Sequence, residues 1–503
     1  MIFPKLNLNK ISGAQLFIIG IVGALITVSS GLLGFKFIPD YIYKKIWETK
    51  ILKENTMAWD TFLKTPLPFE FRVFLFNISN PDDVMNGMKP VVKETGPYVY
   101  KLNRWKEAVS WNYDTKEISY YEYEFYEFDQ NRSGSFRESD VVTVLNLPYN
   151  SLLSLAQSIS EDFLPVLDTS LPNIFGVNDG LFLTTSVKNF LFDGIRFCRN
   201  ASQSDDFTTR AVCGQVKRQT SQAKQMKIDG EDVLYATLDY RNNTHQGYFT
   251  VKSGQENKHE AATLVRFENV TYLSVWDGGN STCNKIRGVT AVFPANIEKN
   301  MTFDTFSEDI CRAIKLNYSG IQYIKNVEGY KFGSVDAFRR SDANQCFCLN
   351  KTMDLDGEYR CFDGFLDLTS CQGAPALVSF PHFLYADEKY IQGVRGIKPN
   401  KTLHETYIVL EPMSGIPLAL AKRVQFNMFI RPLEGISRLE NVTPALVPIF
   451  WIEESMTLSG SYFDLLKYTL LRSFFILKIV RWILLAIGLS IVLFSVFLFL
   501  NFK

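Results

Sequence analysis

Two long uncharged runs near the ends of the chain limit its fold more than any other feature. Residues 11–35 contain no charged side chain between Lys10 and Lys36, and residues 482–500 are also uncharged. At about 1.5 Å per residue, a helix of either length crosses a hydrocarbon core of about 30 Å. A cleaved signal peptide is the alternative for the first run, but its apolar core is usually about 7–15 residues long and ends at a small-x-small site. We therefore expect two membrane-spanning helices.

Small residues recur four apart in the first run, at Gly20 and Ala24 and at Ser30 and Gly34. Such spacing permits close packing between membrane helices, although it is also common by chance in apolar sequence. The spacing of these small residues therefore does not decide the oligomeric state.

The segment between the two runs is predicted to lie outside the cytosol. Basic residues on its side of the spans favour the opposite orientation, but long domains translocate largely regardless of flanking charge. Asn-x-Ser/Thr acceptors occur throughout the segment and not in the spans or tails, as expected of a glycosylated secretory surface. They begin at Asn77, Asn131, Asn200, Asn242, Asn269, Asn280, Asn300, Asn317, Asn350, Asn400 and Asn441.

These features predict a plasma-membrane protein with both termini in the cytoplasm. The predicted segments are a cytoplasmic tail, 1–10; a transmembrane helix, 11–35; an extracellular ectodomain, 36–477; a second transmembrane helix, 478–500; and a cytoplasmic tail, 501–503. The ectodomain is long for one domain but within the range of a single large β-rich unit.

Four of the eight cysteines crowd into residues 345–371. In an oxidising compartment, an even number of cysteines indicates a disulfide framework. A zinc site is less favoured, because the stretch lacks paired CxxC spacing and contains no histidine. Its DLDGE motif, residues 354–358, lacks the ligand spacing of a calcium loop and is interpreted as a surface turn. Cys346 and Cys348 are too close along the chain to pair comfortably with each other, and many connectivities stay open.

Strand-like patterns predict that the ectodomain is mainly an antiparallel sheet or barrel. Residues 70–78 and 422–430 are runs rich in Phe and Val, which favour strands. Residues 120–125, YYEYEF, alternate aromatic and acidic side chains, the pattern of a strand with one face in the core. We expect its acidic face to be solvated rather than to bind cations.

Helical periodicity in residues 151–167 and 186–195 predicts a small helical cluster within residues 150–195. Residues 151–187 contain no Lys or Arg, and their acidic residues are Glu161, Asp162, Asp168 and Asp179. A solvated acidic surface is one interpretation of this charge pattern. The other is that a ligand that binds here is not drawn in by positive charge.

Motifs of enzyme chemistry are missing from the sequence, which contains no GxSxG, GxxxxGK, HExxH or GxGxxG pattern. The histidines are His245, His259, His382 and His404, and we expect His382 to be buried in a structural role. No catalytic residue, metal site or cofactor is expected. An ecto-enzyme with a dispersed site, such as a lipid esterase, is an alternative.

A set of motifs occurs in order along nearly the whole ectodomain. It comprises the CFC…C…C cysteine pattern and residues 80–100, 306–314, 379–390, 398–427 and 447–454. With these motifs and with two spans that have short tails, the chain resembles the class B scavenger receptor family. Within that family, residues 191–213, 276–284 and 465–471 resemble the insect sensory neuron membrane proteins most. The resemblance implies a large α+β ectodomain with an antiparallel β-barrel core, a helical apex far from the membrane and a hydrophobic tunnel leading towards the bilayer.

The resemblance also implies a cysteine pairing. By position in the family's pattern, Cys283 would pair with Cys346, Cys311 with Cys371, and Cys348 with Cys361. Cys198 and Cys213 are left for each other, as in the subfamily.

The implied activity is that of a cell-surface receptor for hydrophobic ligands such as fatty-acid-derived pheromones and odorants. It would pass them through the tunnel to the membrane or to an odorant receptor in olfactory neurons. The expected partners are fatty-acyl lipids, the membrane, odorant receptor channels and odorant-binding proteins, and no nucleic acid. Candidates for the tunnel entrance are Phe163, Phe175, Phe182 and Phe190, with packing in a helical core as the alternative.

Two other functions stay open from the sequence. One is a scavenger or lipid-uptake receptor on support or immune cells, and the other is an adhesion glycoprotein without a small ligand. Family members that bind anionic lipoproteins resemble one another in having basic apex residues, which residues 151–187 lack. This difference favours a neutral lipid as the ligand.

Overall fold

The computed structural model describes residues 12–65, 69–221, 223–290, 292–373 and 375–501. The predicted N-terminal tail and the last two residues of the predicted C-terminal tail lie outside the described residues. The chain forms two compact units. The two terminal segments, up to Lys50 and from Leu458, make up one unit, and Ile51–Thr457 makes up the other.

The chain begins and ends in helices, and most of its strands lie between them in sequence. The α-helices are α1 Gly13–Leu32, α2 Ile38–Glu48, α3 Met57–Leu63, α4 Pro81–Met85, α5 Gln130–Ser133, α6 Leu147–Ile159, α7 Leu164–Phe175, α8 Phe207–Gln219, α9 Thr369–Gln372, α10 Glu388–Gly393, α11 Lys401–His404, α12 Gly460–Asp464 and α13 Arg472–Asn501. The strands are β1 Phe69–Ile78, β2 Val92–Asn112, β3 Glu117–Phe128, β4 Val141–Leu145, β5 Phe182–Ser186, β6 Ile195–Phe197, β7 Met226–Asp229, β8 Asp232–Tyr235, β9 Thr244–Lys252, β10 Leu264–Phe267, β11 Thr302–Ser307, β12 Arg312–Ile324, β13 Val327–Gly333, β14 Leu366–Asp367, β15 Leu377–Ser379, β16 Tyr407–Leu410, β17 Pro417–Ile430 and β18 Ala445–Thr457.

Two long helices make up the terminal unit. One runs from Gly13 to Glu48 and the other from Gly460 to Asn501, and both are long and apolar enough to cross a membrane. The two predicted spans are therefore confirmed as candidate membrane helices. A π-helical turn, Leu33–Phe37, joins α1 to α2. It ends two residues before Pro39, whose missing N–H interrupts the ordinary helical hydrogen-bond ladder.

Small residues line the contact between these two helices. A Cβ added at Gly23 would lie 3.0 Å from the carbonyl oxygen of Gly488, so the two backbones approach closely there. Gly20 and Gly34, one from each small-residue spacing of the first run, also lie at this contact. Close backbone approach of this kind is how membrane helices gain packing energy without a hydrophobic driving force.

Replacing Gly488 with leucine is expected to push the two helices apart. A Cβ at this position would lie 2.5 Å from Thr27 Oγ1 and 2.8 Å from Thr27 N, and backbone cannot yield as a flexible side chain can. Pulsed electron paramagnetic resonance would measure the distance between spin labels attached to unnatural amino acids at the exposed positions 17 and 493. In the variant, the mean label-to-label distance should be about 2 Å longer than in wild type. The axes of packed helices are usually about 8–10 Å apart. Gly31→Leu is the matched control, because no neighbouring atom lies within 4 Å of its Cβ position, and an equal shift there would contradict the assignment.

A 13-stranded antiparallel sheet forms the frame of the second unit. The main path is β10-β9-β3-β2-β1-β18-β17-β16-β13-β12-β11, with β15 paired to β17 and β14 paired to β15. The two ends of the path are bridged at Gly288 and Val289. Leu264 N donates to the Gly288 carbonyl and Val289 N donates to the Asp304 carbonyl, both at 2.8 Å. The sheet therefore nearly closes into a barrel, which confirms the predicted fold.

Strand β18 is the middle strand of the main path, between β1 and β17. Residues 445–454 are buried without exception, so both faces of the strand are covered. The predicted strand-like runs 70–78 and 422–430 lie in its two neighbours, β1 and β17. Because Glu453 and Glu454 belong to the buried stretch, each needs a cationic partner inside the protein.

The helical cluster departs from the sequence prediction between residues 151 and 167. Residues 151–167 do not form a single helix, because α6 ends at Ile159 and α7 begins at Leu164. Ser160 between them is extended, with φ −166° and ψ 126°. Pro165 has no N–H to continue the ladder and is tolerated only in the first turn of the second helix.

Two small sheets accompany the helical cluster. Strands β4 and β5 pair with each other, and β6, β8 and β7 form a three-stranded sheet. Within the predicted helical segment 186–195, residues Asn189–Asp193 form a π-helical turn, which Gly194 ends with φ +95°. Glycine adopts this backbone conformation without the steric cost that a Cβ brings.

Candidate ligand-binding region

An open pocket of about 370 Å³ lies beside the helical cluster. The loop after α7, strand β5, the π-helical turn and the facing strands β6 and β8 contribute its walls. The lining residues are Asn178, Thr185, Asn189, Asp193, Gly194, Ile195, Arg196 and Leu234. Amide, hydroxyl, carboxylate and guanidinium groups therefore surround the opening, with Ile195 and Leu234 as apolar wall.

The charged groups at the pocket are held by exposed ion pairs. Arg196 contacts Asp232 at 3.0 Å and Asp229 at 2.5 Å, and Lys188 contacts Asp193 at 3.3 Å. Exposed pairs of this kind contribute only about 0–1 kcal/mol each. A ligand can therefore rearrange them at little cost.

The four phenylalanines proposed for the entrance do not share one environment. Phe175 and Phe190 are buried in the main hydrophobic core, at 2% and 0% exposure. Phe163 and Phe182 are partly buried and pack against that core. None of the four is a lining residue of the pocket described above, so their role as an entrance stays a prediction.

The acidic residues of the helical cluster divide into two kinds. Glu161 and Asp162 are exposed, as the solvated-surface interpretation expects. Asp168 instead accepts a hydrogen bond from the Ser437 hydroxyl at 2.8 Å. Asp179 is paired with Arg438 at 2.6 Å, and burial raises the pKa of Asp179 against the effect of that arginine.

Four disulfides join all eight cysteines. The pairs are Cys198–Cys213, Cys283–Cys346, Cys311–Cys371 and Cys348–Cys361, the same pairs that the family resemblance implies. Cys198–Cys213 ties the end of β6 to α8, beside the pocket. The DLDGE motif does form a turn, but Asp354 is fully buried and is bound by Lys389 Nζ at 2.6 Å, so the surface interpretation is wrong for this residue.

The acidic face of YYEYEF is not solvated, and that sequence expectation is wrong. Glu124 is 1% exposed and is contacted by Arg104 and by Arg241, the latter at 2.9 Å. Phe125, on the other face, is 40% exposed. The alternation predicted a strand correctly but not which face is inside, because the cations that neutralise Glu124 come from β2 and from the turn before β9.

Arg241 is the centre of this buried ion cluster. Its guanidinium contacts Glu124 and Asp309 at 2.9 Å and Glu454 at 3.3 Å. Lys422 contacts Asp309 at 3.4 Å. Although burial opposes the charged form, these cations lower the pKa of Glu454, so the cluster holds ionised groups. No local sequence pattern indicates the cluster, since its members lie on β2, β3, β17, β18 and two turns.

A second buried polar cluster contains two stacked histidines. His382 and His404 lie with their ring centroids 4.5 Å apart and nearly parallel, and they are 6% and 5% exposed. Their Nδ1 atoms accept hydrogen bonds from backbone N–H groups, of Lys398 at 3.1 Å and of Asn400 at 3.0 Å. Both rings therefore carry their proton on Nε2, and His382 donates it to Glu94 at 2.6 Å.

Burial of His382 was expected, whereas that of His404 was missed. Burial, followed by the charge of His382, lowers the pKa of His404 to about 4. Trp451 Nε1 also donates to Glu94, at 2.7 Å. Among the described residues, no group of three or more His, Cys, Asp or Glu is arranged to hold a metal ion.

The predicted glycosylation sites differ in exposure. Asn77 and Asn242 are half-buried, and their side-chain oxygens accept hydrogen bonds from Thr143 N at 2.7 Å and Tyr126 N at 3.1 Å. The others are exposed: Asn131, Asn200, Asn269, Asn280, Asn300, Asn317, Asn350, Asn400 and Asn441.

Glycopeptide mapping of the full chain from insect cells is expected to find glycan at exposed sequons and little or none at Asn77 and Asn242. The two half-buried amides already take part in the sheet, so a glycan there would disturb backbone hydrogen bonds. High occupancy at either position would contradict this prediction. Absence of glycan from every site would contradict the extracellular placement of residues 36–477.

Comparison with known proteins identifies the family of this chain. The model of the CD36 family matches residues 21–499. The chain belongs to the CD36 family. Its structure fits that assignment, since two candidate membrane helices lie near the ends of the sequence and the intervening residues form a nearly closed β-barrel. Membership makes the chain a membrane receptor of the class B scavenger type.

Relatives within the CD36 family are named for sensory neurons. Sensory neuron membrane protein 2 of Anopheles gambiae is 29% identical over 93% of this chain and 90% of its own length. The Ostrinia furnacalis protein of the same name is 30% identical over 94% of this chain and 90% of its own length. Sensory neuron membrane protein 1 of Aedes aegypti is 29% identical over 88% of this chain and 80% of its own length.

Proposed function

We propose that this CD36-family chain is a plasma-membrane receptor that captures neutral fatty-acyl ligands, such as pheromones or odorants, and passes them on without chemical change. Residues 36–477 would be the extracellular, lipid-binding part, with both termini in the cytoplasm. The recipient would be the membrane or an odorant receptor channel. The names of its relatives support a sensory setting.

The observation that carries this proposal is the pocket beside residues 151–187, whose cationic lining residue, Arg196, is already paired with Asp229 and Asp232. The lining combines polar groups able to orient an end group with apolar wall at Ile195 and Leu234. Residues 151–187 contain no Lys or Arg, so a neutral ligand is favoured over a polyanionic particle. This difference also weighs against the alternative of a scavenger of anionic lipoproteins.

Passing a ligand on without chemical change requires only that the ligand move favourably from water into an apolar environment. Each CH₂ moved from water into an apolar conduit gains about 0.8 kcal/mol, so a long acyl chain enters without any catalytic group. An odorant-binding protein is the expected source of such a ligand in an aqueous medium. The buried ion cluster around Arg241 would then stabilise the barrel beside the ligand path rather than react with the ligand.

Photoaffinity labelling tests the proposal. The full chain in lipid nanodiscs would be exposed to a diazirine-bearing fatty acetate, with and without an excess of the unlabelled acetate. We expect label within residues 147–197 that the unlabelled acetate displaces. Labelling that is spread evenly over the ectodomain and is not displaced would contradict the proposal and favour an adhesion role.

A further inference from the structure

A band of positive charge occurs in the terminal unit where its two apolar runs end. Lys36 directly follows the first run, Arg481 directly precedes the second, and Lys478 lies about one helical turn from Arg481. No acidic residue occurs in residues 11–39 or 465–503. Because uncharged runs of this length fill the hydrocarbon core of a bilayer, these cations lie at the level of the lipid headgroups.

The orientation of the chain does not account for this charge. If residues 36–477 are extracellular, as proposed, the band lies on the non-cytoplasmic side of the membrane. The positive-inside rule expects the excess of Lys and Arg on the other side. The band therefore opposes the proposed orientation, and a binding role is a physical reason for its presence.

Arg481 is held at the contact between the two long helices. Its Nη1 donates to the Gly34 carbonyl at 3.3 Å, and its guanidinium lies 4.4 Å from the centre of the Phe35 ring. Its Nε has no hydrogen-bond partner among the described residues. A guanidinium carries five N–H donors, so the position of Arg481 is fixed while most of its donors are not used by the protein.

Lys478 adds a second cation next to Arg481. Residues three apart are neighbours on a helix surface, and Lys478 is exposed. Within the described part of the chain, neither cation forms an ion pair. The two like charges repel each other, and one bound anion would relieve that repulsion. Lys36 lies at the same level but two residues from Gly34, so it faces away from this helix contact.

Two aromatic rings lie beside these cations, towards the apolar runs. Phe35 and Trp482 meet edge to face, with their ring centroids 5.1 Å apart, and they are 42% and 56% exposed. Tryptophan is typical of the depth at which headgroups meet acyl chains. An anionic group with attached acyl chains matches both the cations and the rings, whereas a free inorganic anion matches only the cations.

We propose that Arg481 and Lys478 bind the phosphate of an anionic phospholipid, whose acyl chains lie against Phe35 and Trp482. Zwitterionic lipids carry the same phosphate, but their ammonium group would lie next to two unpaired cations. The net negative charge of the headgroup therefore decides which lipid is held. The inference rests on the proposed membrane placement of the terminal unit and goes beyond ligand capture by the ectodomain.

Fluorescence quenching by brominated lipids tests the site on the full chain in nanodiscs. Bromine on the acyl chains quenches a tryptophan only at close range, and comparison with Trp482→Phe isolates the signal of Trp482. Phosphatidylserine and phosphatidylcholine with the same brominated chains are titrated separately into nanodiscs of unbrominated phosphatidylcholine. Half-maximal quenching should need about twentyfold less phosphatidylserine, since each cation near a headgroup contributes about fivefold.

Lys478→Gln is the informative variant, because Lys478 is exposed and its loss leaves the helix contact at Gly34 intact. The preference for phosphatidylserine should fall to about fivefold, and to about one when Arg481→Gln is added. Lys36→Gln is the matched control, since it removes the same charge at the same level on the far side of its helix. It should keep the wild-type preference, as should wild type in excess sodium phosphate at constant ionic strength.

The other outcomes each overturn the inference in a distinguishable way. Equal quenching by the two lipids in wild type would show that the cations select no headgroup. Equal losses in Lys36→Gln and Lys478→Gln would indicate a diffuse band of charge without a site, and loss of the preference in excess phosphate would indicate a soluble anion as the ligand. Quenching by neither lipid would place Trp482 outside the bilayer and refute the membrane placement itself. Fatty-acyl binding by the ectodomain is measured separately and does not enter these results.

Discussion

Replacing Arg241 with methionine is expected to destabilise the ectodomain by about 3–5 kcal/mol, the usual cost of breaking a buried ion pair by removing one partner. The Arg241 side chain is 2% exposed and contacts three carboxylates. Methionine fills much of the same space but leaves those charges together with little solvent. Because whole domains are stable by only about 5–15 kcal/mol, little folded chain should reach the cell surface. Urea unfolding and surface biotinylation measure the two effects.

Arg132→Met is the matched control for that variant. The Arg132 side chain is 51% exposed and pairs with Glu70 and Asp129, so its loss should cost less than about 1 kcal/mol. A second variant, Glu124→Gln in the Arg241→Met background, should recover part of the lost stability by removing one unpaired charge. Similar losses in the two arginine variants would contradict the assignment of Arg241 to a buried cluster.

Acidification should weaken the ectodomain through His404, by on the order of 3 kcal/mol between pH 7 and pH 4. Its pKa is about 4 in the folded protein against an ordinary 6.5. The unfolded chain therefore takes up a proton at this residue before the folded protein does, and stability falls as pH drops through that interval. His382, Glu94 and Arg423 are the charged or titratable groups that act on the ring. Glu94, whose pKa is lowered by His382 and Trp451 against the effect of burial, adds a loss in the same direction at lower pH.

Thermal unfolding of wild type and His404→Gln across this pH range measures the effect. Protonation at Nδ1 would also remove the acceptor that Asn400 N uses at 3.0 Å. The variant should lose the pH dependence between about 6.5 and 4, whereas His259→Gln, at an exposed histidine, should retain it. A wild-type curve that is flat over this interval would show that His404 titrates normally.

The membrane helices and the central strands of the sheet could be predicted because local sequence patterns indicate them. An uncharged run long enough to cross a bilayer indicates each membrane helix, and strand-like runs indicate β1 and β17. The break at Ser160 was missed because the periodicity of residues 151–167 continues across it in sequence, and Pro165 alone allows either a stop or a first turn. Tertiary closure through Gly288 and Val289 involves single backbone bonds that no pattern indicates.

Much of the candidate site could not be predicted, because its residues are distant in sequence. Glu124 alternates with aromatic residues as a surface strand would, and only the arrival of Arg104 and Arg241 turns its face inward.

We expect this receptor to hold a neutral fatty-acyl ligand without altering it. Native mass spectrometry of the full chain in nanodiscs, with a fatty acetate of known mass added, measures both properties. The expected result is a complex at the mass of protein plus intact acetate, which a second acetate displaces. Release of the free alcohol and acetate would instead indicate an esterase, and failure to bind any fatty-acyl compound would refute the proposed function.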